Sequence, residues 1–321
     1  MSVLKAEVNR YKGSSLARST QSTYRSHLNA YLRFCAFYGC VPIPADRDTI
    51  CCYIAFLARS LSSSSMNGYL NIIRLLHLDA GLPNPLDNNW EVQQIKHGVA
   101  RLKGIPIKQK HPITIQILRE FFCFLDHYSS PLDKSFWAAC LLAFYVFFRK
   151  STILPISASS ASGICRSDIQ NFTSSSFSVL VKHTKTIQFG ERTLMLPFHA
   201  CADLRLCPVR AMWSHLTSSP VTPDHHVFTY LVGNRTALLT HEHFVKKLKL
   251  LIVATGRDPT VFSAHSFRRG GTTFAFSLNM AFLTVKARGD WKSNCVEQYI
   301  SINDKLSMDA AILLSQGAAV N

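Results

Sequence analysis

Acidic residues are scarce in this chain. Against 35 Lys and Arg stand 19 Asp and Glu across 321 residues, a formal charge of +16. Such a surplus says nothing about fold, but it points to a polyanionic partner and makes nucleic acid the leading candidate. Long apolar runs are missing too. The longest, residues 135–148, falls short of the roughly 20 residues a membrane helix needs, and it reads as a buried helix. No basic stretch followed by an apolar one opens the chain, so neither a secretory leader nor a membrane partner is expected. Ten cysteines are present, yet no pair has CxxC spacing. The nearest approaches to a zinc set are Cys35 with Cys40, and His199 with Cys201 and Cys207. No metal or cofactor is expected from them. Cys51, Cys52 and Cys140 sit in apolar helical stretches, where reduced cysteine acts as a small hydrophobe, so a soluble, reduced, intracellular chain is expected. No internal repeat is evident.

What is present suggests two domains, each long enough to bury its own core. Residues 1–104 read as four short helices. Ser19 or Thr20 can cap the first, which carries Tyr24, Leu28, Tyr31 and Cys35 on one face and ends near Gly39. Asp46 or Asp48 can cap the second, with Cys52, Ile54, Ala55 and Leu57 toward the core. The serines at 62–65 open the third, through Leu70, Ile73 and Leu76 to Gly81. The fourth runs from about 89 to 103. Residues 105–113 form a basic linker. Between Glu91 and Glu120 there is no carboxylate at all, while Lys96, Arg101, Lys103, Lys108, Lys110 and Arg119 fall in that interval. A basic linker between two domains suits a chain that wraps a duplex, because each phosphate contact releases counterions. Residues 114–321 form a mixed second domain. It has the buried helix, a β-hairpin over FSVLVKHTKTIQFGERTLMLPF with a further strand near Phe172, and helices around 209–216, 241–255, 266–278 and 282–288. The fold class expected is mainly α with a small antiparallel β-sheet.

The chemistry-bearing residues lie in this second domain. His265 and Arg268, in HSFRRGG, are three apart at a helix start, so both project from one face near the positive end of its dipole. A phosphate is the natural ligand of that surface. Arg149 closes an otherwise apolar helix in FFRKST, where a guanidinium needs an anion. Lys185 sits at the hairpin turn in HTKT. Trp291 and Tyr299 follow within WKSNCVEQYI. Taken singly, Trp291 reads equally as core, Tyr299 as a surface aromatic and Lys185 as a solvated turn lysine. Their joint order carries more.

That order resembles the tyrosine recombinase family, which includes phage integrases, Cre and the Xer recombinases: Arg, hairpin Lys, His-x-x-Arg, His or Trp, then Tyr. The matching positions are Arg149, Lys185, His265, Arg268, Trp291 and Tyr299. The likeness covers nearly the whole chain, because the family has an N-terminal helical core-binding, SAM-like domain that clamps DNA ahead of an α+β catalytic domain. The RKS after an apolar helix looks most like the enzymes of eukaryotic DIRS-type or Crypton-type mobile elements, for which the nucleus would be the compartment. The resemblance implies a site-specific recombinase or integrase acting on double-stranded DNA as a homotetramer. Arg149 and Arg268 would clamp the scissile phosphate, Lys185 would protonate the departing 5′ oxygen, and His265 would bond the phosphate or accept the tyrosine proton. Trp291 would pack and donate its indole N–H, and Tyr299 would attack to form a 3′-phosphotyrosyl bond. A tail helix over 305–317 would pack on a neighbouring protomer or cap its own domain.

Three positions depart from the family pattern. Thr152 stands where an acidic residue often follows the first arginine. The interval from Trp291 to Tyr299 is one shorter than usual, which lets Asp290 align with the His/Trp position instead. Lys182 competes with Lys185 for the hairpin role. Two other functions fit the same residues, a DNA-binding protein that no longer recombines and a type IB topoisomerase.

Overall fold

The computed structural model describes residues 1–104, 109–157, 159–160, 162–299, 308, 311–312 and 315. The expected tail helix over 305–317 falls mostly outside them, as does Lys108. The chain divides into two compact units, residues 1–108 and 109–321.

The first unit is helical: α1 (Ser2–Ser14), α2 (Arg18–Tyr38), α3 (Arg47–Leu57), α4 (Ser63–Asp79) and α5 (Trp90–Lys103). Helix α1 adds to the four expected; Leu4, Val8 and Tyr11 recur at helical spacing along it, yet it buries no residue. Ser19 and Thr20 do not cap α2. The helix starts earlier, behind Ala17, and places both inside its first turn. It ends where expected, at Gly39 in the left-handed conformation (φ 67°), which glycine adopts without a Cβ penalty. Asp46 caps α3 by accepting the Thr49 N–H at 2.7 Å, and Ser62 and Asn89 cap α4 and α5 in the same way. The inward face of α3 differs from expectation. Ile50, Tyr53, Ile54 and Leu57 are buried, while Cys52 and Ala55 face out. Tyr53 is the larger payload, and rotating it inward buries more apolar area than Cys52 and Ala55 could. Buried His77 ties the unit together, donating from Nδ1 to the Ile73 carbonyl and accepting the Ala45 N–H at Nε2.

The second unit begins with α6 (Ile115–Phe124), capped by Thr114, and α7 (Pro131–Val146), capped by Ser130 with proline in its first turn. Helix α7 is the centre of the core. It buries Phe136, Trp137, Leu141, Leu142 and Phe144 on all sides, and each such side chain contributes about 1.5–3 kcal/mol. Strands β1 (Ile169–Gln170), β2 (Ser176–Val181) and β3 (Leu194–His199) form an antiparallel sheet in that order, with Val179 opposite Leu196. The further strand expected near Phe172 is β1, which ends just before Phe172, and Phe172 stacks on Phe177. Helix α9 (Pro208–Ser218) follows. A second hairpin, β4 (Thr229–Val232) and β5 (Arg235–Leu238), adds to the expected elements, and its Gly233-Asn234 turn is a strong hairpin signal. Helices α10 (His241–Ala254), α11 (His265–Ser277) and α12 (Phe282–Arg288) lead to a 3-10 turn at Asn294–Tyr299.

No helix among the described residues is long and apolar enough to cross a membrane. No group of three or more His, Cys, Asp or Glu among them could hold a metal ion.

Candidate active site

Helix α11 organises the site. Two glycines, Gly270 and Gly271, let its backbone press against its neighbours. A Cβ on Gly271 would lie 2.0 Å from the Phe144 carbonyl of α7, and one on Gly270 would lie 1.8 Å from the Ile113 carbonyl. This approach carries Arg268 to the end of α7, where its Nη1 donates to the Phe147 carbonyl. Phe147 is left-handed (φ 57°) and stops α7 at Val146, so its carbonyl belongs to the negative end of that helix dipole.

The stop at Phe147 also corrects the expected place of Arg149. It does not close α7; it precedes the short helix α8 (Lys150–Ile153) as its cap residue and is half-buried. A bulky residue in the left-handed conformation breaks the helix two positions before the arginine, a break the apolar pattern does not signal. Thr152, at the position where the family often has an acidic residue, is buried one turn on.

Arg268 is 1% exposed. Its guanidinium carbon sits 3.6 Å from the centroid of the Trp291 ring and 5.0 Å from that of Tyr299, and the two rings are 5.6 Å apart. Both rings offer the guanidinium cation–π attraction in a desolvated setting. Burial, and next the charge of Arg149, lower the Arg268 pKa to about 9, while Tyr299 acts in the opposite direction. The group stays charged at neutral pH. Two of its N–H groups, at Nε and Nη2, have no hydrogen-bond partner among the described residues, and neither has the buried Trp291 Nε1–H. Buried donors of this kind are costly unless an acceptor meets them.

His265 begins α11. The residue is exposed, yet its ring is packed closely enough for desolvation to lower its pKa, and Arg149, Arg268 and Lys150 lower it further. The imidazole is thereby favoured in its neutral form. Arg149, His265, Arg268, Trp291 and Tyr299 therefore share one neighbourhood, floored by Phe147, Ala275, Val285 and Val296.

Lys185 is exposed on the loop between β2 and β3, its carbonyl accepting from Gln188 Nε2. Lys182 is committed elsewhere, with Nζ 2.6 Å from Asp168 Oδ1, and that hydrogen bond raises its pKa. The Asp290 carboxylate turns toward the β2–β3 loop, where Thr184, Thr186 and Arg192 all donate to it.

Two residues missed in the sequence support Tyr299. Arg269 donates through Nη2 to the Gln298 carbonyl, and Thr273 Oγ1 reaches the Tyr299 carbonyl at 3.4 Å. Both lie on α11, one and five positions after Arg268; the doubled arginine in FRRGG is the available signal.

The basic residues named for DNA contact fall in both units, Lys96, Arg101 and Lys103 in the first and Lys110 in the second. Lys96, Arg101 and Lys103 lie on α5, where five residues' separation turns Arg101 about 140° from Lys96. Lys103 Nζ donates to the Ala58 carbonyl at 2.8 Å. Lys110, in the second unit, donates to the Thr260 carbonyl.

No protein-family model matches the chain. An integrase/recombinase XerD homolog of Selenomonas ruminantium is 25% identical over 307 residues, covering 92% of this chain and 85% of the relative. Among solved structures, the Tn1549 transposon integrase in complex with transposon right end DNA aligns over 97% of this chain and 98% of its own, with TM-score 0.63 and 10% identity. A lambda integrase dimer bound to a COC′ core site covers 94% of each chain, with TM-score 0.54 and 12% identity. The structural likenesses establish the fold, and the sequence relative matches over nearly the whole chain.

Proposed function

We propose that this chain is a site-specific DNA recombinase or integrase that cleaves and rejoins strands through a 3′-phosphotyrosyl bond at Tyr299. The observation that carries this reading is Arg268: a buried guanidinium beside a tyrosine, with two N–H groups unpartnered among the described residues. Its charge and fork geometry match the oxygens of a phosphodiester. The charge of Arg149 is near enough to be felt at Arg268, and in this reading Arg149 completes the clamp, with the Trp291 indole N–H as a further donor. Tyr299 loses its phenolic proton to His265, held neutral, and its oxygen bonds to phosphorus. The bond to the 5′ oxygen breaks, the electron pair leaves on that oxygen, and Lys185 supplies its proton. Attack by a 5′ hydroxyl reverses these steps and rejoins the strand. The arginines neutralise the charge that develops on the phosphate, the role cationic clamps play in phosphoryl transfer generally.

Double-stranded DNA is the partner in this reading, gripped by a helical clamp domain over 1–104 and a basic linker over 105–113, with catalysis in 114–321. A homotetramer would exchange strands between two duplexes. Origin in a DIRS-type or Crypton-type mobile element rests on Arg149-Lys150-Ser151 following the apolar helix. Nicked duplex substrates test the reading, since departure of the short downstream strand traps a covalent adduct. Adducts that map to Tyr299 by peptide sequencing are expected; adducts at another residue, or none, overturn it. Relaxation of supercoiled plasmid without site preference would instead favour a topoisomerase.

A further inference from the structure

Asp290 is 7% exposed and left-handed (φ 53°), between Gly289 and Trp291. Its Oδ2 receives the hydroxyls of Thr184 and Thr186, and its Oδ1 receives Arg192 Nη2. The two threonines are the residues on either side of Lys185, and Arg192 lies on the returning arm of the same loop. Thr184 Oγ1 also accepts the N–H groups of Thr186 and Ile187, at 3.0 and 3.1 Å, and the Ile187 side chain is fully buried. The loop that carries Lys185 is thus closed on itself and fastened to the one residue that precedes Trp291. Burial alone would raise the Asp290 pKa, but these donors outweigh it and hold the group below its ordinary range.

We infer that Asp290 is a positioning residue, a clamp that sets the Lys185 ammonium beside the leaving oxygen in register with Trp291 and the phosphate under it. The inference rests on the recombinase reading above and deepens it. A long, flexible lysine on an untethered hairpin turn would sample many positions. Fixing both flanking residues to a buried carboxylate removes most of that freedom, and general acid transfer depends on such reach. The same carboxylate is therefore not a phosphate-facing group itself.

The test separates proton delivery from phosphate binding by changing the leaving atom. At the cleavage site mapped with the wild-type chain, the bridging 5′ oxygen is replaced by sulfur. A thiolate departs without a proton, so a defect in the acid disappears on the sulfur substrate and every other defect remains. Lys185→Ala should slow adduct formation about 100- to 10,000-fold on the oxygen substrate and be restored on sulfur. Asp290→Asn should slow it about 10- to 100-fold on oxygen, with rates within about threefold of wild type on sulfur. Arg268→Ala should be slow on both. Should Asp290→Asn fail to fold, Thr184→Val with Thr186→Val leaves the Asp290–Arg192 pair in place and should give the same pattern. Equal slowing of the clamp variants on both substrates, or wild-type rates on oxygen, overturns the clamp alone. A wild-type chain that forms no adduct on either substrate overturns the recombinase reading and the clamp together.

Discussion

Arg269 donates to the carbonyl of Gln298, so the helix that presents His265 and Arg268 also holds the backbone immediately before Tyr299. In the proposed reading, this ties the nucleophile to the phosphate-binding groups through adjacent residues of a single helix. Arg269→Gln should therefore slow adduct formation by roughly tenfold or more, as misplacement of a reacting group does. DNA affinity, read by electrophoretic shift, should stay within about twofold because no phosphate-facing charge is removed. A matching fall in affinity would mean that Arg269 itself contacts DNA.

Tyr299→Phe removes a hydroxyl and keeps the ring that lies beside Arg268 and Trp291. Adducts on nicked substrates should vanish while DNA affinity hardly moves. Arg268→Ala should lower both, because in the proposed reading it deletes an anion-binding group that acts before and during the transition state.

Gly271→Ala tests the close approach of α11 to α7. Its new methyl would meet the Phe144 carbonyl at 2.0 Å, a backbone atom that cannot swing aside. Urea unfolding should show a destabilisation of about 1–3 kcal/mol with an unchanged slope. Full stability in this variant would show that the helices can part at no cost.

His215 gives stability a defined pH dependence. The ring is fully buried, bonded through Nε2 to the Val227 carbonyl at 2.6 Å, and burial lowers its pKa from 6.5 to about 4. Above pH 6.5 it is neutral in folded and unfolded chains alike. Between 6.5 and about 4 only the unfolded chain takes up the proton, so stability falls as pH falls, by about 3 kcal/mol over that window. His215→Gln should flatten this part of the profile in urea titrations at pH 4 to 7. An equally steep profile would assign the proton to another group.

Neutralising Lys96, Arg101, Lys103, Lys108 and Lys110 together should weaken binding to all DNA sequences. The slope of log affinity against log salt should become shallower by about 0.9 for each phosphate that the protein no longer neutralises. Lys103 and Lys110 each already serve a carbonyl, but an ammonium has three donors and can also meet a phosphate. An unchanged slope returns the run to plain solvated surface.

Much of the architecture is readable before any coordinates. Asp46, Ser62 and Gly39 mark helix ends because their effects reach only three or four residues along the chain. The apolar run at 135–148 announces a helix that buries every face, and alternation announces the hairpin of β2 and β3. His265 and Arg268 share a helix face by spacing alone, and the order of the six positions that resemble the family pattern needs no geometry either. Tertiary structure decided the rest. The break at Phe147, which detaches Arg149 from α7, leaves a carbonyl free to accept from Arg268 on a distant helix. The support of Tyr299 by Arg269 and Thr273 and the fastening of the Lys185 loop to Asp290 join residues that are not neighbours in any local period. Asp290 and Thr184 lie 106 positions apart. Local propensity carries no information about such a pair, because its free energy comes from burying a carboxylate that only the folded chain can surround with donors.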